Sequence, residues 1–304
     1  MKKLKIGILM GGASAEHEVS LASGAEILKH IETSKYIPQK LLIRKNGKFA
    51  FTQKDLENQD LIFIALHGES GENGAIQGYL EMLGIPYTGS SVLASAIGMD
   101  KHLCKRIWAD AGLPTVLHTI VKSISECTTH KLPFVLKPRN QGSSVGVTIV
   151  RSKNQISKAY KDASQFKSDV MLEPYIDGPE LTVGVIGENP DKLKALPIIH
   201  IIPATEFYDY EAKYIRDDTQ YVVPADIPNS ATKKVQELAV EACRTIGVKG
   251  MSRVDIMMNK NNPLLLEINT IPGFTSHSLL PKAAQADGIE FGKLIDLIIH
   301  YALK

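Results

Sequence analysis

The sequence predicts an α/β fold, and three stretches predict it. Residues 4–10 read as a buried apolar strand that runs into Gly11-Gly12-Ala13-Ser14-Ala15-Glu16-His17-Glu18, followed by a helix from His17 to near Glu32. Leu61 to Leu66 is a continuous apolar strand that ends in a second polar, glycine-rich loop, His67-Gly68-Glu69-Ser70-Gly71-Glu72-Asn73-Gly74. Loops at the carboxyl ends of buried strands are where open α/β sheets receive ligands. In the third stretch, Gly250 to Leu280, Val254, Ile256 and Met258 alternate with Arg253, Asp255 and Met257, a strand pattern of period two.

Asn259-Lys260-Asn261-Asn262-Pro263 is a turn cluster, and Leu264 to Ile268 is a second β-rich run, so the pair reads as a hairpin. Residues two apart leave the same face of a strand. Arg253 and Asp255 therefore share one face, as do Glu267 and Asn269, and three oxygen donors can converge beside one guanidinium. Two carboxylates and an amide oxygen suit a hard cation such as Mg2+ rather than zinc. The alternative is a solvated hairpin with charges on its wet face. The Asn-Thr-Ile-Pro-Gly-Phe-Thr loop that follows combines a turn with many donors, which favours a site.

The 304 residues suffice for two or three domains with substantial cores. Hydrophobic content of 44% and charged content of 22% are those of a soluble globular protein. A net charge of +2 with dispersed lysines implies no nucleic-acid or membrane partner. Cys104, Cys127 and Cys243 are far apart with no CxxC, which argues for reduced thiols in a cytoplasmic protein. The basic head before residues 4–10 resembles a signal peptide, but the apolar run breaks after Met10 without a cleavage site. No run approaches the roughly 18 apolar residues of a membrane helix.

Along the chain, Ala75 to Leu83, Val92 to Met99 and Lys101 to Ala111 read as helices, the last two broken near Gly98. Residues to about 98 form a doubly wound α/β block. A second block opens with the strand Phe134 to Pro138, carrying Lys137 near its end. Arg139 to Gly146 follows, then a strand Val147 to Val150. Such a Gly/Ser loop closes over phosphates or is a surface hairpin; it is not a Walker A loop, because no GK[ST] opens a helix. Asp169 to Glu173 is a strand, and the linker Glu173 to Glu180 offers backbone groups to an adenine edge. Leu181 to Ile186 and Ile198 to Ile202 are strands, Phe207 to Arg216 a functional loop, and Lys233 to Ile246 and Ile289 to Leu303 amphipathic helices. Glu16 either holds a substrate ammonium group or caps its helix.

The motifs GGASAEHEVSLASG (11–24), HGESGENGAIQG (67–78), PYTGSSVLASAIGMDK (86–101), LKPRNQGSSVGV (136–147), YDYEAKY (208–214), SRVDIM and LEINTIPGFTSHSLLP stand in this order. With them the chain resembles the D-alanine–D-alanine ligases of the ATP-grasp superfamily over essentially its whole length. The resemblance implies an ATP-grasp fold, α+β in its ATP-binding part, with domains at 1–98, 99–177 and 178–304. It implies ATP and D-alanine as partners, a homodimer, and magnesium, two ions, replaceable by Mn2+. Asp255, Glu267 and Asn269 match the metal ligands, and Arg253 and the Gly273 N–H the oxyanion donors. Lys101, Lys137, Ser144 and Lys213 match the phosphate-binding residues, and Glu173, Tyr175, Ile176, Glu180 and Phe207 the remaining nucleotide contacts. Glu16, with Ser143 and Tyr214, matches the group that holds the first ammonium; His67 matches a first-subsite residue, and Ser278 and Leu279 the clamp on the second carboxylate. The chain departs from the pattern at Asn73, where an aspartate is expected, and this bears on the electrostatics of the first subsite. Other readings are a ligase with D-serine or D-lactate as second substrate, of which an intact Tyr214 disfavours D-lactate, and a nucleotide-binding regulator without turnover.

Overall fold

A computed structural model describes residues 2–166, 168–204 and 218–304. It begins with β1 (Leu4–Gly11), α1 (His17–His30), β2 (Tyr36–Ile43), α2 (Gln53–Glu57) and β3 (Leu61–Ile64). β1 lies between β2 and β3 and is parallel to both. All four β3 residues are buried, as expected of a parallel strand covered on both faces. β2 eluded the sequence reading because Pro38 argues against a strand; the sheet order puts it at the edge, where proline is tolerated. α1 packs so closely on β1 that a Cβ at Gly24 would meet the Met10 side chain at 2.2 Å.

Four helices follow: α3 (Glu69–Glu72), α4 (Ala75–Met82), α5 (Val92–Met99) and α6 (Lys101–Asp110). The break between the last two falls at Asp100 rather than at Gly98. The Asp100 carboxylate accepts the Leu103 N–H at 3.0 Å and caps α6.

A four-stranded antiparallel sheet comes next: β4 (Thr119–Val121), β5 (Phe134–Pro138), β6 (Thr148–Val150) and β7 (Val170–Pro174), in the order β4-β7-β5-β6. α7 (Ile124–Cys127) and α8 (Ile156–Ser164) cover one face. Ile156, Ala159 and Ala163 of α8, spaced for one helix face, bury against Phe134, Leu136 and Val150.

The remaining strands build a six-stranded sheet: β8 (Glu180–Gly187), β9 (Leu193–Ala195), β10 (Ile199–Ile202), β11 (Gln220–Val222), β12 (Gly250–Asn259) and β13 (Asn262–Asn269). Its order is β11-β10-β8-β12-β13, with β9 paired to β8. α9 (Asn229–Ile246) buries Val235, Leu238, Ala239, Ala242, Cys243 and Ile246 along one stripe and ends at Gly247, whose φ of +77° closes the helix. Trp108 of α6 joins the same apolar cluster, and its indole N–H donates to the Ala242 carbonyl at 3.0 Å.

α10 (Leu279–Ala286) and α11 (Phe291–Ala302) return the chain to the first sheet. Leu294, Ile295, Ile298 and Ile299 share one buried cluster with Ile6, Ile8 and Phe63. Phe274, in the loop before α10, sits edge-on to Phe63 and Phe291, with ring centroids 5.6 and 5.2 Å away. That contact anchors the 270–278 loop against the amino-terminal sheet.

Candidate active site

β12 and β13 pair Arg253 opposite Asn269 and Asp255 opposite Glu267. Opposed residues share a face, so the four polar side chains expected to converge do so. The Arg253 Nε and Nη2 donate to the two Asp255 oxygens at 3.0 Å each, and the Thr182 hydroxyl donates to Asp255 Oδ1 at 2.6 Å. Lys101 Nζ lies 3.5 Å from Glu267 Oε2. The Asn269 amide oxygen accepts the Ile271 N–H at 2.9 Å, and its second lone pair is available to another partner. Among the described residues no group of three His, Cys, Asp or Glu side chains could hold a metal. The Asp255–Glu267–Asn269 set is all oxygen, and its two carboxylates and one amide fit Mg2+ sharing its shell with phosphates.

The pairing shifts between Asp255 and Ile256, leaving Leu266 as an extra residue in β13. This bulge turns the consecutive residues Leu266 and Glu267 toward the same cavity. The cavity, of 370 Å³, lies between the four-stranded and six-stranded sheets. Lys101, Lys137, Ser144, Glu173, Tyr175, Ile176 and Glu180 all line it. Its apolar walls are Val116, Val135, Ile149, Ile201, Met257 and Leu266, none of which the sequence singled out. Glu173 is buried between two ammonium groups, with Lys105 Nζ 2.8 Å from one oxygen and Lys137 Nζ 2.8 Å from the other. Burial pushes the Glu173 carboxyl up, and the two lysines outweigh it, holding it below the usual carboxylate range. Burial lowers the Lys105 ammonium to about 8 despite that partner.

The loop between β5 and β6 is rooted by Arg139, whose guanidinium reaches Asp100 at 2.7 Å and Asp169 at 3.1 Å. Lys101 donates to the Gln141 carbonyl. At the tip Ser143 and Ser144 hold φ of +53° and +58°, a strained conformation for non-glycine residues that marks functional loops. The Ser143 hydroxyl donates to Glu16 Oε1, joining residues 127 apart in sequence. Glu16 stands at the start of α1 with no side-chain capping bond there, so of its two readings the capping one has no support in the geometry.

His67 is buried with both ring nitrogens engaged. Nδ1 meets the Ile271 carbonyl at 3.1 Å, which makes it the donor, and Nε2 accepts the Ser23 hydroxyl at 2.9 Å. Ser23 Oγ in turn accepts the Phe274 N–H at 3.1 Å. This relay fixes the loop that carries Gly273. Burial holds the His67 imidazole below its usual pKa, the direction that suits an accepting Nε2. Beside it, Glu72 accepts the Gly68 N–H at 2.8 Å; burial first, and then the Glu16 charge, raise its carboxyl to about 8. Asn73 is exposed and accepts the Ala75 N–H at 3.0 Å through its side-chain oxygen, a role an aspartate would fill equally. A Cβ at Gly273 would lie 2.9 Å from Ser278 Oγ, which places the expected oxyanion donor beside the expected clamp. Ser278 precedes α10, and Leu279 opens it, so the helix N-terminus offers N–H groups to an anion.

Phe207, Lys213 and Tyr214 lie outside the described residues. Sequence reasoning missed Lys105, Thr182, Ser23 and Glu72. Only the position of Lys105 four residues after Lys101, on one helix face, could have hinted at a shared role.

Two antiparallel sheets closing on a cavity with carboxylates at one end define an ATP-grasp protein. Models of the D-Ala-D-Ala ligase N-terminus match residues 5–60 and 50–90, and that of the C-terminus matches 107–300. A D-alanine–D-alanine ligase from Cupriavidus metallidurans is 42% identical over 98% of this chain and 91% of its own length. The crystal structure of the Bacillus anthracis D-alanine–D-alanine ligase complexed with ATP is 35% identical, with a TM-score of 0.83, covering 100% of this chain and 98% of its own. A D-Ala:D-Ser ligase from Enterococcus faecalis is 29% identical with a TM-score of 0.85, covering 99% and 100%. The chain belongs to the D-alanine–D-alanine ligase family.

Proposed function

We propose that the protein is an ATP-dependent ligase that joins two D-alanines into D-alanyl-D-alanine for peptidoglycan precursors, releasing ADP and phosphate. One observation carries this reading beyond family membership. The 370 Å³ cavity ends at the face bearing Arg253, Asp255, Glu267 and Asn269, and the Ser143 loop reaches from that cavity to Glu16. A nucleotide and a small amino acid can therefore meet over one charged surface.

A free carboxylate is a poor electrophile, so it must be activated. The first D-alanine lies with its ammonium on Glu16, steadied by Ser143 and Tyr214, in a subsite shaped by His67. ATP fills the cavity with its adenine on the Glu173–Ile176 strap and Phe207, its ribose on Glu180, and its phosphates on Lys101, Lys137, Ser144 and Lys213. An oxygen of the D-alanine carboxylate attacks the γ-phosphorus, ADP departs, and an acyl phosphate forms. The amine of the second D-alanine, its carboxylate held by Ser278 and Leu279 at the α10 N-terminus, attacks the acyl carbon. Arg253 and the Gly273 N–H take up the oxyanion charge, and collapse expels phosphate. Asp255, Glu267 and Asn269 would hold Mg2+, two ions by resemblance, which supplies charge neutralisation on the phosphate oxygens.

The reading includes domains at 1–98, 99–177 and 178–304, a homodimer and a cytoplasmic place. One buried cluster, Val121 to Leu172, falls wholly within 99–177, and three buried cysteines outside any disulfide support the last. No described helix is long and apolar enough to cross a membrane. The test is mass spectrometry of products from Mg-ATP with D-alanine, alone or paired with D-serine or D-lactate. D-Alanyl-D-alanine from D-alanine alone is expected. Product from a mixed pair only would move the chain to the D-Ala:D-Ser type, and no product with any pair would overturn the ligase reading.

A further inference from the structure

Lys105 has no part in the mechanism above. Its side chain is buried behind the nucleotide cavity, where Nζ donates to the Val116 carbonyl at 3.1 Å and pairs with Glu173 Oε1 at 2.8 Å. The other Glu173 oxygen lies 2.8 Å from Lys137 Nζ. Lys137 and Glu173 line the cavity, whereas Lys105 stands one layer further in. The cluster is two ammonium groups on one carboxylate, a buried surplus of positive charge facing the cavity.

A Lys137–Glu173 pair alone would be neutral and self-satisfied. A phosphate could then recruit Lys137 only by stripping Glu173 of its counter-ion, and an uncompensated buried carboxylate is strongly unfavourable. With Lys105 on the far oxygen, Glu173 keeps a partner and a fixed orientation when Lys137 turns to an anion.

We propose that Lys105 is a positioning residue for nucleotide binding: as the standing counter-ion of Glu173, it releases Lys137 to pair with a phosphate of the nucleoside triphosphate. The inference rests on the ATP reading of the cavity but not on which amino acids are joined. It is therefore tested by calorimetric titration of the intact protein with Mg-ATP, without amino acid.

Lys105→Met should weaken ATP binding by about tenfold or more, because Lys137 is then retained by Glu173. Adding Glu173→Gln removes the stranded carboxylate, so Lys105→Met/Glu173→Gln should bind ATP about fivefold more tightly than Lys105→Met alone. A cation that merely supported packing would give no such rescue. In turnover, Lys105→Met should raise KM for ATP while kcat at saturating ATP stays within about threefold. If Lys105→Met does not fold, Lys105→Gln and Lys105→Gln/Glu173→Gln replace the pair. Wild-type affinity in the single variant, or a double variant no tighter than the single, overturns the proposal alone. Failure of the wild-type protein to bind Mg-ATP overturns the reading of the cavity and this inference with it.

Discussion

The two ends of the site are built in opposite ways. The nucleotide end is a cavity between two antiparallel sheets, with charges already paired within its floor: Glu173 with Lys105 and Lys137, and Lys101 with Glu267. The amino-acid end is assembled from loops far apart in sequence, joined by hydrogen bonds that include Ser143 to Glu16, His67 to Ile271, and Ser23 to Phe274. Strand registers fix the first; each contact of the second must be made separately. The difference implies that lesions at the nucleotide end act on ATP binding, whereas lesions at the amino-acid end act on turnover and on the amino-acid substrates.

Arg253 sits where the two ends meet and gives the largest expected effect. Arg253→Ala should lower kcat by roughly 100-fold or more while ATP binding changes little, because the guanidinium is needed where charge develops. A fall in ATP affinity with kcat intact would assign Arg253 to the nucleotide end. Lys137→Ala should act oppositely, raising KM for ATP about tenfold or more with a smaller change in kcat. Steady-state kinetics with ATP varied at saturating D-alanine separate the two.

The histidine relay yields a smaller prediction. Ser23→Ala removes the acceptor for Phe274 N–H and the donor to His67, costing about 1 kcal/mol for each lost bond. We expect kcat to fall severalfold through a less well-held Gly273, with ATP affinity unchanged; a change confined to ATP affinity would break the division between the ends.

Glu72 provides a test read in stability rather than in turnover. Its raised carboxyl keeps a proton in the folded state at pH values where the unfolded chain has released it. Its contribution is fully present below the ordinary carboxyl range and is lost as pH climbs toward about 8. Glu72→Gln keeps a neutral side chain at all these values. The stability gap between Glu72→Gln and wild type, read by urea unfolding, should therefore widen in favour of the variant from pH 5 to pH 8. A constant gap would mean that Glu72 is ionised in the folded protein throughout.

The sequence was legible where side chains follow backbone periodicity. Alternation alone put Arg253 with Asp255 and Glu267 with Asn269, and the register brings the two pairs onto one face. The strands β3, β5 and β8 were visible as apolar runs. Chain-distant contacts were not: nothing local links Glu16 to Ser143, and only resemblance anticipated their meeting. Lys105 was hidden because a lysine on an amphipathic helix ordinarily faces solvent. The bulge at Leu266 was invisible because pattern reading assumes unbroken alternation. α10 was overlooked because of Pro281, which the first helical turn accommodates.

The central claim is that a carboxylate is activated by phosphoryl transfer over the Arg253 face and then captured by an amine. It is tested most directly with D-alanine carrying oxygen-18 in both carboxylate positions, turned over with Mg-ATP. If an acyl phosphate forms, one carboxylate oxygen bridges to phosphorus and leaves with it, so each phosphate released per dipeptide should carry one oxygen-18. Phosphate without the label, or release of AMP and pyrophosphate in place of ADP, would contradict the account.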